Sequence, residues 1–240
     1  MGCKYSGAGK RDVNEDACLL KYDRKLGLCA AVADGLGGHG GGREASQTAI
    51  DSIYESYLSG GIEKPEEFNV WFQSANQAVL NRQSRDCEMK TTLVVLLIRN
   101  EQALWAHIGD SRLYHFVEGR LVEQTFDHSV SQMAVLRGEI RQDQIRGHED
   151  RNRLLRALGR EETIQTETSQ IVTLSGAEHA FLLCSDGFWE YVMENEMEKD
   201  LKASGTPEQW VKRMAERLDR RTLNRDNDNH TVVAVICGKK

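Results

Sequence analysis

Four apolar runs, residues 91–99, 102–108, 112–117 and 121–125, follow one another with only short turns at Asn100-Glu101, Gly109-Asp110 and Glu118-Gly119 between them. A parallel crossover needs roughly a dozen residues, so spacing this tight admits only antiparallel neighbours. Residues 17–22 and 26–33 flank the polar turn Asp23-Arg24-Lys25 and read as another hairpin. From Arg43 the period changes: Ala45, Ala49, Ile53 and Tyr57 share a helical face as far as Gly60-Gly61, and Phe68, Trp71, Phe72, Ala75 and Val79 repeat the pattern after Pro65. Two helices thus succeed each other with no strand between. Residues 128–158 read as helical or irregular, 164–174 and 180–184 as strands, 194–203 and 207–221 as helices, and 231–237 as a closing strand. Antiparallel sheet with helices in pairs predicts an α+β sandwich.

The 240 residues carry 31 basic and 37 acidic side chains, a formal charge of −6. That balance argues against gripping nucleic acid or an anionic membrane and leaves cations, proteins and small molecules as partners. With 40% hydrophobic residues and no repeat, low-complexity tract or linker, 1–240 reads as one domain with one sizeable core. The longest aliphatic run, 93–98, falls far short of the roughly 20 residues of a membrane span, and the first residues lack a secretory pattern. Six scattered cysteines without a CxxC pair read as mostly buried thiols of a reducing compartment, which predicts a cytoplasmic protein. Met1-Gly2-Cys3-Lys4-Tyr5-Ser6 matches an N-myristoylation pattern; the simpler reading makes Cys3 to Ser6 the first strand.

The acids fall at strand ends: Glu15 and Asp16 just before a strand, Asp34 just after one, Asp110 in a hairpin turn, Asp186 after residues 180–184, and Asp228 before the last strand. A lone turn aspartate is ordinary. Five such places in one sandwich can converge on one rim, where mutual repulsion must be offset by a cation. Oxygen ligands without a Cys/His cluster favour Mg²⁺ or Mn²⁺ over zinc. Two local motifs compete. Gly35-Leu36-Gly37-Gly38-His39-Gly40 spells a dinucleotide-binding G-x-G-x-x-G, but a helix rather than a parallel strand follows the helix it opens. Asp226-Asn227-Asp228-Asn229 looks like the start of a calcium loop, yet Thr231 stands where glycine is required and Cys237 where glutamate is.

Arg11-Asp12-Val13-Asn14-Glu15-Asp16, Val32-Ala33-Asp34-Gly35-Leu36-Gly37-Gly38-His39, Gly109-Asp110-Ser111-Arg112, Ser185-Asp186-Gly187 and Asp228-Asn229-His230-Thr231 occur in the order of the metal-dependent protein serine/threonine phosphatases of the protein phosphatase 2C type, which the chain resembles from about Lys10 to Val235. Asp127-His128-Ser129, Gly138-Glu139-Ile140 and Arg156-Ala157-Leu158-Gly159 are similar to further blocks of the bacterial, single-domain members. The resemblance implies a four-layer α-β-β-α sandwich of two antiparallel sheets flanked by helix pairs, and two Mn²⁺ or Mg²⁺ ions activating a water against phosphoserine or phosphothreonine. It implies Asp34 as bridging ligand, Asp186 and Asp228 on one ion, the Gly35 carbonyl on the other, and Asp110 on a weaker third. Glu15, Asp16 and Asn229 then support the ligands from behind, and Arg11 offers a planar fork to the phosphoryl group. Phosphorylated proteins and the kinase that the enzyme opposes are the implied partners, with the chain acting as a monomer.

Two departures stand out. Leu36 replaces the histidine that eukaryotic relatives carry two residues after the bridging aspartate, which leaves His39 as the nearest candidate acid. Lys90 precedes Thr91-Thr92 where relatives commonly have glycine. Leu36 is also the one argument for a non-catalytic relative that binds a phosphoprotein without turnover. Residues 137–160, which overlap the segment (about 128–158) that corresponds to the family's flap, hold seven arginines against four acids. They are expected either to attract phosphorylated segments or to form a solvated face. Setting aside Glu15, Asp16, Asp34, Asp110, Asp186 and Asp228 leaves 37 − 6 = 31 acids against 31 bases, so the acidic surplus equals the predicted site.

Overall fold

The computed structural model describes residues 1–37, 41–60, 62, 64–84, 87–161 and 163–238. One sheet runs from edge to edge as β1 (Gly2–Gly7), β13 (His230–Gly238), β12 (Glu178–Cys184), β8 (Arg112–Val117) and β9 (Arg120–Gln124). The other runs β10 (Glu167–Thr168), β7 (Gln102–Ile108), β6 (Leu93–Arg99), β3 (Gly27–Ala33) and β2 (Ala17–Asp23), with β11 (Val172–Thr173) also on β7. A short ladder of β4 (Gly35–Leu36) and β5 (Lys90–Thr91) stands apart from both. The helices are α1 (Gly41–Ser59), α2 (Phe68–Leu80), α3 (Val130–Leu136), α4 (Asp186–Trp189), α5 (Glu194–Lys202) and α6 (Pro207–Thr222).

Turn chemistry sets the register of the central hairpins. Asn100 and Glu101 both take positive φ, 50° and 59°, between the paired residues Arg99 and Gln102. Glu118 and Gly119 do the same, at 49° and 72°, between Val117 and Arg120. Two left-handed residues in a two-residue loop match the twist of the strands they join.

The strands are continuous apolar runs because both their faces are covered. On β6, Leu93, Val95 and Leu97 pack with Ala45, Ile53, Phe72 and Val79 of α1 and α2, whereas Val94 and Leu96 point into the layer between the sheets. That middle layer also takes Ala30 and Val32 of β3, Phe181 and Leu183 of β12, and Val233 and Val235 of β13. The opposite faces of β12 and β13, Leu182, Cys184, Val232 and Ala234, pack on Met197 and Leu201 of α5 and on Trp210, Met214 and Leu218 of α6. Helices, sheet, sheet, helices: the predicted four layers are present. Burying each of these large side chains stabilises the fold by roughly 1.5–3 kcal/mol.

Two expectations need correction. The strand predicted over 164–174 is two short pieces, because Thr168 pairs with Ala106 and Val172 with Ala103. Four steps on one side answer three on the other, so the edge bulges. The Ser169 hydroxyl accepts the Trp105 N–H there, and Ser169 N–H donates to the Trp105 carbonyl. Second, only Cys29 and Cys184 are buried; Cys3, Cys18, Cys87 and Cys237 are partly exposed. Residues 128–158, read as helical or irregular, are mostly loop around α3, which Ser129 caps by accepting the Gln132 N–H, and a 3-10 turn at Gln142–Gly147. Gly2 lies in β1 opposite Val235, as the simpler reading of the first residues requires. Among the described residues no helix is long and apolar enough to cross a membrane.

Candidate metal centre

The predicted acids meet. A cleft of about 450 Å³ is lined by Arg11, Glu15, Asp34, Asp110, Asp186 and Asp228, with Gly35, Leu36, Asn152, Leu154 and Asn229 between them. Asp34 leaves β3, Asp110 sits between β7 and β8, Asp186 follows β12 and Asp228 precedes β13, so four chain segments that are distant in sequence deliver one carboxylate each.

Each segment is fixed by its backbone. Asp34 N–H donates to Thr92 Oγ1 at 2.9 Å, and its carbonyl accepts from Thr91 Oγ1 at 2.8 Å and Thr92 N–H at 2.9 Å. A Cβ at Gly35 would stand 2.1 Å from the Gly42 carbonyl oxygen, so only glycine lets the start of α1 press against this turn. A Cβ at Gly187 would stand equally close to the Asn229 carbonyl, which is why α4 can begin against the Asp228-Asn229 turn. Asn229 binds the loop before β2: its Oδ1 accepts the Glu15 N–H at 2.7 Å, and its Nδ2 donates to the carbonyls of Ala8 and Val13. Ser185 Oγ donates to Asp16 Oδ2 at 2.7 Å and accepts the Thr231 N–H at 2.9 Å.

Below Asp110 lies a buried support. Trp189 Nε1 donates to the Asp110 carbonyl at 3.0 Å, and the Arg112 guanidinium lies 3.5 Å from the Trp189 ring centroid. Arg112 makes a two-pronged pair with Asp127, both bonds 2.7 Å, with both side chains almost fully buried. His128 completes the turn, its Nδ1 accepting the Gly109 N–H at 3.1 Å. His107, His128 and Glu167 bring possible ligand atoms within 4.8 Å of one another. That trio is not set up for an ion: with Nδ1 accepting from an N–H, His128 Nε2 carries the proton and donates a hydrogen bond to Glu167 at 3.3 Å, so His128 has no lone pair left for a metal.

The electrostatics of the cleft ask for cations. Burial, then repulsion from Asp16, Asp186 and Asp110, pushes the Asp34 carboxyl well above the ordinary aspartate range, and burial with repulsion from Asp186 and Asp127 does the same to Asp110 against the pull of Arg112. Asp16 is pushed up to about 7, first by burial, with Asp186 and Asp228 adding to it against the Ser185 and Thr231 hydrogen bonds. Asp186 is pushed up to about 6 by burial, with Glu190 and Asp228 adding to it. Glu15 is raised by burial. Among the described residues Arg11 is the one cationic side chain on the wall, and its Nε and Nη2 are already engaged by Asp228 at 3.0 and 2.8 Å. Asp16 Oδ1 is buried with no hydrogen-bond partner. Crowded, desolvated carboxylate oxygens with an orphaned acceptor behind them fit hard divalent ions.

Arg11, Glu15, Asp34, Gly35, Asp110, Asp186, Asp228 and Asn229 line the cleft as predicted, and Asp16 stands behind it. His39 lies outside the described residues. Leu36 faces the cleft and supplies no proton. The flap arginines are less available than their count suggested: Arg141, Arg146, Arg151 and Arg153 pair with acids, and Arg160 donates to the carbonyls of Leu154 and Leu155. Sequence reasoning missed Thr92, Ser185 and Trp189, which hold ligand-bearing turns, and Asn152 and Leu154 on the wall. Only Ser185 and Trp189 carried a local signal, one residue before and three after Asp186.

The protein phosphatase 2C family model matches residues 5–228. The chain is similar to a serine/threonine phosphatase, Stp, of Listeria monocytogenes serotype 4b, with 34% identity over 204 residues, covering 82% of this chain and 80% of the relative. It superposes on the PPM Ser-Thr phosphatase MsPP of Mycobacterium smegmatis, crystallised with cacodylate, with a TM-score of 0.83 at 29% identity over 100% of this chain and 98% of the other. A crystal structure of the catalytic domain of the serine/threonine phosphatase PstP with two manganese ions gives 0.81 at 27% identity over 98% and 97%. The sheets, the order of the acids around the cleft and these likenesses all lead to one assignment: the chain belongs to the protein phosphatase 2C family.

Proposed function

We propose that the chain is a metal-dependent phosphatase that hydrolyses phosphoserine and phosphothreonine in proteins, and that 1–240 works as one catalytic domain with about 128–158 as its flap. The observation that carries this reading is the convergence of Asp34, Asp110, Asp186 and Asp228 on one cleft whose only cationic side chain among the described residues is already paired. On this reading Asp34, Asp186, Asp228 and the Gly35 carbonyl hold two Mn²⁺ or Mg²⁺ ions, and Asp110 helps a weaker third. Bound there, the ions lower the pKa of a water and absorb the charge that builds at phosphorus.

The chain's own groups do the positioning. Asp228 fixes the Arg11 guanidinium by two bonds and leaves Nη1 without a partner among the described residues, free to donate to a phosphoryl oxygen. Asp16, held by Ser185, and Glu15, held by Asn229, present acceptors to water behind the ligands. His39 is the proposed donor to the leaving seryl or threonyl oxygen. The partners are phosphorylated proteins and the kinase that makes them, and the chain acts as a monomer in a bacterial cytoplasm.

Turnover of p-nitrophenyl phosphate and of a phosphothreonine peptide, with Mn²⁺ and with chelator, tests the reading. Metal-dependent hydrolysis by the wild type, lost in Asp34→Asn, is expected. No turnover in Mn²⁺, or full activity in Asp34→Asn, would sink it and leave the non-catalytic binder as the better account of Leu36.

A further inference from the structure

Beside the metal centre lies a second groove, of about 620 Å³, walled by Arg146, Arg151, Arg220, Arg221, Arg225 and Glu190 among others. Five guanidiniums to one carboxylate is a strong local excess in a chain of formal charge −6. Three of the five are tied in. Arg146 donates to Glu194 at 2.7 Å and to the Trp189 carbonyl at 3.0 Å, Arg151 to Glu190, and Arg221 to Glu196 and the Tyr191 carbonyl. Arg220, in the last turn of α6, and Arg225, just beyond it, are exposed, and neither guanidinium meets a carboxylate among the described residues. The acids next to them in sequence act elsewhere: Asp219 lines a different hollow with Tyr5 and Lys10, and Asp226 acts on Arg11.

Groove and cleft are joined by three segments of chain. Arg151 lines one and Asn152 the other. Asp186 and Glu190 bracket α4, about 6 Å apart at helical rise, and Glu190 N–H donates to the Asp186 carbonyl. Arg225 and Asp228 are three residues apart, a span of at most about 11 Å. An extended peptide advances roughly 3.3 Å per residue. A phosphorylated residue seated at the carboxylate cluster therefore brings side chains two to four positions away over Arg220 and Arg225. Arginine forks match carboxylate and phosphate oxygens geometrically.

We propose that this groove is a specificity subsite that binds an anionic side chain, carboxylate or second phosphate, two to four residues from the phosphoserine or phosphothreonine being cleaved. The inference rests on the phosphatase reading above. It makes Arg220 and Arg225 the residues that favour acidic or multiply phosphorylated substrate segments over neutral ones.

The test uses phosphothreonine peptides with neutral flanks, with glutamates at the second to fourth positions on both sides, and with a non-hydrolysable phosphonate there. Wild-type kcat/KM is expected to be about tenfold higher for the glutamate peptide than for the neutral one at low salt, as two exposed ion pairs allow. The gap should lie in KM, shrink as salt rises, and collapse towards one in Arg220→Glu/Arg225→Glu and in the milder Arg220→Ala/Arg225→Ala. A larger gap for the phosphonate peptide identifies a second phosphate as the preferred anion; equal gaps identify simple charge. Anisotropy of fluorescent, non-phosphorylated glutamate and neutral peptides, read in chelator, measures the groove without catalysis, and the glutamate peptide should bind tighter to the wild type only. Equal kcat/KM for the neutral and acidic peptides, or a gap that survives both double variants, overturns the groove. Failure to turn over p-nitrophenyl phosphate instead overturns the phosphatase reading, and the anisotropy comparison then still decides the groove.

Discussion

Replacing Asp186 by Asn should make the metal-free protein more stable while removing its activity. Burial and the neighbouring Glu190 and Asp228 hold the Asp186 carboxyl at about 6 against an ordinary 3.8. A group whose folded pKa is raised binds its proton more tightly in the folded state, so the fold loses stability as pH rises from 3.8, and the full cost is reached above about 6. The difference corresponds to roughly 3 kcal/mol at pH 7.5 and less than about 1 kcal/mol at pH 4. Asn keeps the shape and cannot ionise. In chelator, Asp186→Asn should therefore melt about 6–12 °C above the wild type at pH 7.5, since 1 kcal/mol moves a chain of this size by about 2–4 °C, and close to it at pH 4. Saturating Mn²⁺ should close or invert the gap, because at a hundredfold excess over Kd a bound ion adds about 2.7 kcal/mol to the wild type. Thermal melts at both pH values, with chelator and with Mn²⁺, read all four conditions. A variant that melts at or below the wild type in chelator at pH 7.5, or a gap equal at both pH values, would refute the reasoning.

Gly187→Ala should destabilise the fold by about 1–3 kcal/mol and weaken Mn²⁺ binding, because the new methyl meets the Asn229 carbonyl and must displace the Asp228 turn; urea melts and calorimetric metal titration check both. Asp127→Asn should cost about 3–5 kcal/mol by removing the two-pronged partner of the buried Arg112 and leaving it only the Glu194 carboxylate, at 3.9 Å, whereas the double change Arg112→Met/Asp127→Leu should cost less; a double-mutant cycle in urea compares them. Burial, with His179 adding to it, lowers His115 to about 4, so the unfolded chain binds more protons between there and 6.5, and roughly 3 kcal/mol of stability is lost as pH falls through that window. His115→Phe should flatten this part of the profile, and urea midpoints at pH 4.5 and 7 that drop as far in the variant as in the wild type would contradict it.

The fold was legible where backbone and side-chain patterns agreed. Two-residue turns at Asn100-Glu101 and Glu118-Gly119 declare their hairpins, and the alternate faces of β6 and β13 are both apolar because both are covered. The edge at β10 and β11 was not legible, since the bulge depends on a hydroxyl, Ser169, answering a strand 64 residues away. The ligand-bearing turns were read from their acids and glycines, which announce themselves at strand ends. What holds those turns was hidden: Thr92, Ser185 and Trp189 act through long-range bonds that leave no periodic trace. Charge misled in one place. The arginine-rich flap looked open to phosphate, yet Arg141, Arg146, Arg151 and Arg153 are spent on acids and Arg160 on carbonyls, whereas Arg220 and Arg225, which carried no motif, stand free of carboxylates among the described residues.

The position of β13 ties the metal centre to the slowest contact in the fold. β1 pairs with it along six rungs, from Gly2 with Val235 to Gly7 with His230, and β12 flanks its other side. Of the strands described, β1 is the first in sequence and β13 the last, so this sheet closes only when residues more than 220 apart in sequence meet, a long-range step that is slow beside the closing of the neighbouring hairpins. Asp228 leads directly into β13. Until β13 docks, the cleft lacks that carboxylate, so a chain whose sheet is still open should be unable to strip phosphate from the proteins around it.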